Sequence, residues 1–343
     1  VKLKNRGKGS LRAPKKTPQH EERLRKMTKA KHKIYIFYLM IAILAFSSFE
    51  VSSKLIGSQI NPTQLTFFRF LIGGLILLPF TIRNIRKNKI AFTKKDFFIL
   101  LLLGFMLVFV SMNMAQYGIV YTAASVSAVI FSSNAIFVSL FSAILLKEAL
   151  TWKKVLGLLI GAAGLVITFG NIFSGQEISP TYILGIVLVV TSMLVFSLYT
   201  VLSKKTAKKI GSLTVTSLSS ILGSLTLLPL MAATGVNPFD FDLLSILPQF
   251  LYICIFVTGI AYYCYFEAIA HLDTSLGSMT FFIKPPLASI LAAAFLGEVI
   301  TSNIIIGIVL ILIGMFIVMK SLGRSAAPGL EKGAAMRIPD KDV

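Results

Sequence analysis

Apolar side chains run along this chain in blocks of roughly 20 residues, the length of a helix that crosses a hydrocarbon core. Polar breaks separate ten such blocks, at 34–56, 65–82, 97–116, 122–146, 153–170, 180–203, 212–233, 244–267, 274–296 and 302–320. Breaks of about six residues join blocks three to five and eight to ten, short enough to force antiparallel neighbours. The pattern predicts an all-α membrane protein with ten transmembrane helices.

Charge sorts the breaks into two kinds. Arg83, Arg86, Lys87, Lys89, Lys94 and Lys95 follow the second block, and Lys147, Lys153 and Lys154 the fourth. Lys204, Lys205, Lys208 and Lys209 follow the sixth, and Lys320 and Arg324 the tenth. The alternate breaks, "GSQINPTQ", "YGIVY", "NIFSGQEIS" and "TGVNPFDFD", are almost free of basic residues. Because Lys and Arg collect on the cytoplasmic side, even-numbered helices are expected to end there. Both termini follow, which makes this a multi-pass protein of the cell (plasma) membrane.

A shift of 150 residues lays the chain on itself without a gap. Gly73, Leu77, Leu78 and Pro79 meet Gly223, Leu227, Leu228 and Pro229. Leu146, Glu148, Thr151, Gly157 and Gly164 meet Leu296, Glu298, Thr301, Gly307 and Gly314. Phe46, Ser47 and Ser53 meet Phe196, Ser197 and Ser203. Each copy holds five helices, an odd number, so the second must enter the membrane from the opposite side. Two inverted five-helix repeats with a site between them are the architecture of alternating access. The expected divisions are a basic cytoplasmic arm (1–33), a first repeat (34–170), a second repeat (171–320) and a cytoplasmic tail (321–343).

Composition agrees with a membrane protein. The chain is 55% hydrophobic and only 14% charged, with a mean hydropathy of +0.82, where soluble domains carry about 25% charged residues. Residues 1–33 hold 13 Lys/Arg against Glu21 and Glu22, supplying +11 of the net charge of +20. Such an arm beside a membrane span predicts contact with anionic lipid. Its low aromatic content argues against nucleic acid. The run from Ile34 exceeds an ordinary signal-peptide core and is expected to remain as an anchor. Cys254 and Cys264 lie about 15 Å apart along one expected helix and cannot bridge each other within it.

Catalysis finds little support. His20 and His32 lie in the arm and His271 in a break, so no metal constellation forms. No glycine-rich phosphate loop, GxSxG or paired acids at catalytic spacing occur, and neither an enzyme nor a cofactor is expected. A channel would call for a ring of charged residues, which the sequence lacks. A non-transporting scaffold or sensor stays open as the alternative to a transporter.

The stretch "YYCYFEAIAHLDTSLGSMTFFIKPPLASILAAAFLGEVITSNIIIGIVLILIGMFIV" resembles the second repeat of an EamA-type member of the drug/metabolite transporter superfamily. "YGIVYTAASVSAVIFSSNAIFVSLFSAILLKEALTWKKVLGLLIGAAGLVI" resembles the first. The resemblance implies a ten-helix exporter or exchanger of small metabolites such as amino acids, working by alternating access without a nucleotide-binding domain. The chain departs from the common pattern in placing Lys284 before Pro285, and Asn134-Ala135 opposite them.

Lys284, Pro285 and Pro286 sit about 15 Å into the ninth helix, near mid-membrane, where a lone ammonium costs at least about 2.5 kcal/mol. The prolines lack N–H groups, so the carbonyls of Phe281 and Phe282 lose their helical donors and a kink is expected. A cation beside free carbonyls suits a carboxylate or phosphate. Equally, Lys284 could pair with Glu50, whose neighbours Ser47, Ser48, Ser52 and Ser53 form a polar stripe. Glu50 then reads as a coupling carboxylate, an amine ligand or a plain counter-ion. Asn113 and Tyr263, equivalent under the shift, and Glu267 complete the candidate binding or coupling set. Thr151 and Thr301 are expected to cap the helices after the Glu148 and Glu298 turns. The glycines of helices five and ten read as packing residues, and Arg69 as an interfacial anchor or outer gate.

Overall fold

The computed structural model describes residues 34–145, 147, 151–168, 179–271 and 274–334, and every regular element among them is helical. The basic arm, its expected lipid contact, and Glu148 lie outside the described residues. In chain order the helices are α1 (Ile34–Gln59), α2 (Pro62–Lys87), α3 (Lys94–Tyr121), α4 (Ala124–Leu145) and α5 (Trp152–Thr168). They continue with α6 (Pro180–Ile210), α7 (Ser212–Ala233), α8 (Leu243–Tyr265, helical onward to His271), α9 (Thr274–Leu296) and α10 (Ser302–Ala334). Seven of them are long and apolar enough to cross a membrane, and α5, α9 and α10 contribute the shorter apolar stretches Val155–Thr168, Ile283–Leu296 and Ser302–Ile317.

Local chemistry sets several helix ends. Asn61 accepts from Thr63 N–H while Gln64 reaches back to Asn61 N–H, a capping box that starts α2 with Pro62 in the first turn. Thr93 and Asp96 do the same for α3. Each box satisfies donors that a helix start leaves open.

Polarity is distributed as a lipid solvent demands. Leu44, Leu102, Leu159, Ile290, Phe295 and Phe316 are exposed on the outside. Ser47, Ser111, Ser192, Ser197, Ser217 and Ser224 are buried between helices. Hydrocarbon gives apolar side chains no reason to hide, so small residues and interhelical hydrogen bonds hold the helices together. The Ser111 hydroxyl donates to the Ser192 carbonyl at 2.9 Å, and the Ser217 hydroxyl to the Gly74 carbonyl at 3.0 Å.

Glycines allow the closest approaches. A Cβ on Gly314 would stand 2.5 Å from the Gly157 carbonyl oxygen, and one on Gly164 would stand 2.9 Å from the Gly307 carbonyl oxygen. A Cβ on Gly73 would meet Thr258 Cγ2 at 2.6 Å, and one on Gly223 would meet Val108 Cγ2 at 2.8 Å. Within each couple, moving both partners by 150 residues converts one contact into the other. Helices α3 and α8 also each contain a π-helical segment, Phe105–Met112 and Tyr252–Ile260, a wider turn often found at functional sites.

Candidate functional site

Residue 284 brings its ammonium against α1. Lys284 Nζ donates to Glu50 Oε1 at 2.8 Å, with both side chains buried. The Phe131 ring of α4 lies 5.1 Å from the same nitrogen, close enough for a cation–π contribution. Glu50 Oε2 and the Ser47 hydroxyl, one turn earlier, are buried without a hydrogen-bond partner. The chain stays helical across Pro285 and Pro286. At the corresponding place in the first half, α4 is interrupted at Ser133, where the Ser132 and Ser133 hydroxyls donate back to the Ala128 and Ile130 carbonyls. Serine hydroxyls that compete for backbone carbonyls bend helices.

Arg69 is buried at 3% exposure, seven residues and about 10 Å along α2 from its start at Pro62. Its guanidinium lies 4.0 Å from the centre of the Phe49 ring and 4.7 Å from that of Phe70. Nη2 reaches Met112 Sδ at 3.5 Å, while Nε and Nη1 have no hydrogen-bond partner. Asn113, next to Met112 on α3, is buried with its Oδ1 unpartnered. Glu50, Tyr262 and Cys254 stand within electrostatic range of Arg69.

Tyr263 and Glu267 share α8. Tyr263 packs against Tyr38 and Phe80, with ring centres 6.3 and 4.6 Å away. Glu267 follows one turn further along the same helix, half-buried. The structure therefore unites Lys284 and Glu50, sets Asn113 beside Arg69's neighbour Met112, and packs Tyr263 against Tyr38 and Phe80, with Glu267 one turn along α8.

The second glutamate turn, at Glu298, works differently from the sequence expectation. Thr301 Oγ1 is buried without a partner, so its side chain does not cap α10. Glu298 instead reaches across to the start of α4, accepting from Ala124 N–H at 2.6 Å, Ser125 N–H at 3.0 Å and the Ser125 hydroxyl at 2.6 Å. A carboxylate on the open donors of a helix N-terminus is favourable on both hydrogen-bond and dipole grounds. The neighbouring α3 C-terminus is held by Lys54, which donates to the carbonyls of Ile119 (3.2 Å), Val120 (3.0 Å) and Thr122. Glu298→Gln keeps the size but gives up the charge, and is expected to cost about 1–2 kcal/mol, comparable to a lost helix cap. Thermal unfolding of the purified protein checks this, and a midpoint equal to wild type would remove Glu298 as a clasp between α4 and the α9–α10 turn.

Comparison with known proteins follows the same lines. The model of the EamA-like transporter family matches residues 33–170 and 183–320. An uncharacterized transporter of Clostridium kluyveri is 36% identical over 82% of this chain and 92% of its own length. The Bacillus subtilis transporter YetK, also uncharacterized, is 28% identical over 86% and 89%. An S-adenosylmethionine uptake transporter of Rickettsia bellii is 24% identical over 62% of this chain and 69% of its own. One solved crystal structure, 19% identical, superposes with a TM-score of 0.61 over 85% of this chain and 98% of the other, a likeness of fold alone.

Proposed function

The chain belongs to the EamA-like transporter family, and from that premise we propose a secondary transporter, an exporter or exchanger, of small metabolites such as amino acids. Ten helices form two inverted halves that exchange shapes around an interior site. One observation carries this reading: an ion pair at 2.8 Å, Glu50–Lys284, held inside the bundle with a carboxylate oxygen to spare. Buried intramembrane charges are costly and mark substrate or ion pathways. The reciprocal glycine contacts support the halves, because a two-fold axis makes residue i touch j wherever j's counterpart touches i's.

Transport is tested by reconstituting the purified protein and measuring counterflow of labelled amino acids and S-adenosylmethionine. Saturable exchange is expected. A protein that exchanges no metabolite beyond the leak of empty liposomes would end the proposal. A second reading, uptake, draws on the Rickettsia relative, described as an uptake transporter. Oriented vesicles separate the two.

Orientation follows the basic breaks, with both termini in the cytoplasm. In a background lacking Cys254 and Cys264, a Ser58→Cys variant is expected to react with an impermeant thiol reagent from outside intact cells. An Asn88→Cys variant is not. Labelling in the opposite sense would reverse the topology.

A further inference from the structure

The strongest unassigned feature is the guanidinium of Arg69. It is buried at 3% exposure, yet Nε and Nη1 have no hydrogen-bond partner and the third nitrogen touches only a thioether. Buried donors are paired in the great majority of cases, and exceptions call for a specific reason. The Phe49 and Phe70 rings neighbour the guanidinium but offer no acceptor in the plane of the fork. Lys284 is already engaged by Glu50. Among the described residues, Arg69 is therefore a buried positive charge without an oxygen acceptor.

Charge and hydrogen-bond capacity narrow what fits. Glu50 and Lys284 cancel, so together with Arg69 these three groups sum to one positive charge, while buried Asp96 is paired separately with Lys209. A carboxylate on the solute gives the Arg69 guanidinium the charged acceptor it lacks. The unpartnered acceptors, Glu50 Oε2 and Asn113 Oδ1, ask in addition for a donor. A group bearing both a carboxylate and an ammonium meets both demands. A planar fork matches a planar carboxylate with two parallel hydrogen bonds.

Resting on the transport reading above, we infer that Arg69 is the specificity residue for a carboxylate of the transported solute, with Glu50 Oε2 and Asn113 Oδ1 receiving its ammonium. Access requires the helices around Arg69 to part, as alternating access does. Lysine keeps the charge of Arg69 but loses the fork, so the two residues are not equivalent here.

The experiment follows thermal unfolding of purified full-length protein with the standard L-amino acids and S-adenosylmethionine as probes. Each stabilising probe is paired with its methyl ester, which retains the ammonium and loses the carboxylate charge. The acid is expected to stabilise wild type and its ester to bind at least tenfold more weakly. Arg69→Gln should erase that preference and Arg69→Lys should weaken it, while a purely structural arginine would lower the midpoint and leave the acid-to-ester ratio intact. Equal binding of acid and ester, or a preference that survives in Arg69→Gln or unchanged in Arg69→Lys, overturns the assignment. So does a wild-type protein that no probe stabilises. Should neither variant fold, the wild-type acid–ester comparison alone decides. Counterflow of some other metabolite would leave the transport reading standing after such a failure, so the two ideas fail separately.

Discussion

Lys284→Met is expected to lower the unfolding midpoint sharply and to abolish counterflow, because it strands Glu50 as a buried carboxylate. Glu50 Oε2 has no partner, and Oε1 is held by Lys284. Breaking one side of a buried ion pair costs about 3–5 kcal/mol, less whatever Glu50 regains by taking up a proton and becoming neutral. Glu50→Gln with Lys284→Met removes both charges, and replacing a whole buried pair is often neutral or stabilising. The double variant should therefore recover most of the midpoint. Flux separates the roles. If the charges bind solute or couple its movement, the stable double variant stays inactive. Recovery of transport in the double variant would make the pair a structural counter-ion couple. Normal flux in Lys284→Met alone would remove Lys284 from the mechanism altogether.

Much of the helical layout was readable because lipid imposes one simple rule, a long apolar run. The runs at 212–233 and 274–296 coincide with α7 and α9. Hydropathy trimmed the helices whose ends are polar: α2 runs on to Lys87 and α6 to Ile210, through basic turns that stay helical. The missed starts of α2 and α3 had a legible signal in the Asn61–Gln64 and Thr93–Asp96 boxes.

The interior was read less completely. Lys284 and Glu50 were found as candidates because a charge within an apolar run needs a partner, and sequence left few to choose from. Arg69 read as an interfacial anchor or outer gate, and its burial against Phe49 and Phe70 was not legible because hydropathy does not say which face a residue takes. Thr301 illustrates a local rule losing to a tertiary one: the preceding Glu298 reaches another helix, while the threonine hydroxyl stays unpartnered. The π-helical turns of α3 and α8 left no mark in the residue pattern, since one extra residue in a turn of apolar side chains changes nothing in composition.

The second large effect is expected where α5 meets α10. At Gly314 an added Cβ would stand 2.5 Å from the Gly157 carbonyl oxygen and 2.7 Å from Gly161 N, both backbone atoms. At Gly164 it would meet Leu310 Cβ at 2.8 Å and the Gly307 carbonyl oxygen and Ile311 N at 2.9 Å. Backbone cannot swing aside as a side chain can, so the helices must separate. Alanine is about 1 kcal/mol the better helix former, so any net loss comes from packing. Overpacking costs about 1–3 kcal/mol, and Gly314→Ala and Gly164→Ala are each expected to lose stability within that range. Gly161 serves as the contrast, because the nearest atom to its Cβ is the Cδ1 tip of Ile136, which can change rotamer. Gly161→Ala should stay near wild type. The two sensitive glycines exchange places under the 150-residue shift, so a two-fold relation between the halves predicts losses of similar size. Thermal unfolding of the three variants checks both points. An unaffected Gly314→Ala would refute the close approach. A severe loss at one glycine with none at the other would count against the two-fold axis on which alternating access rests.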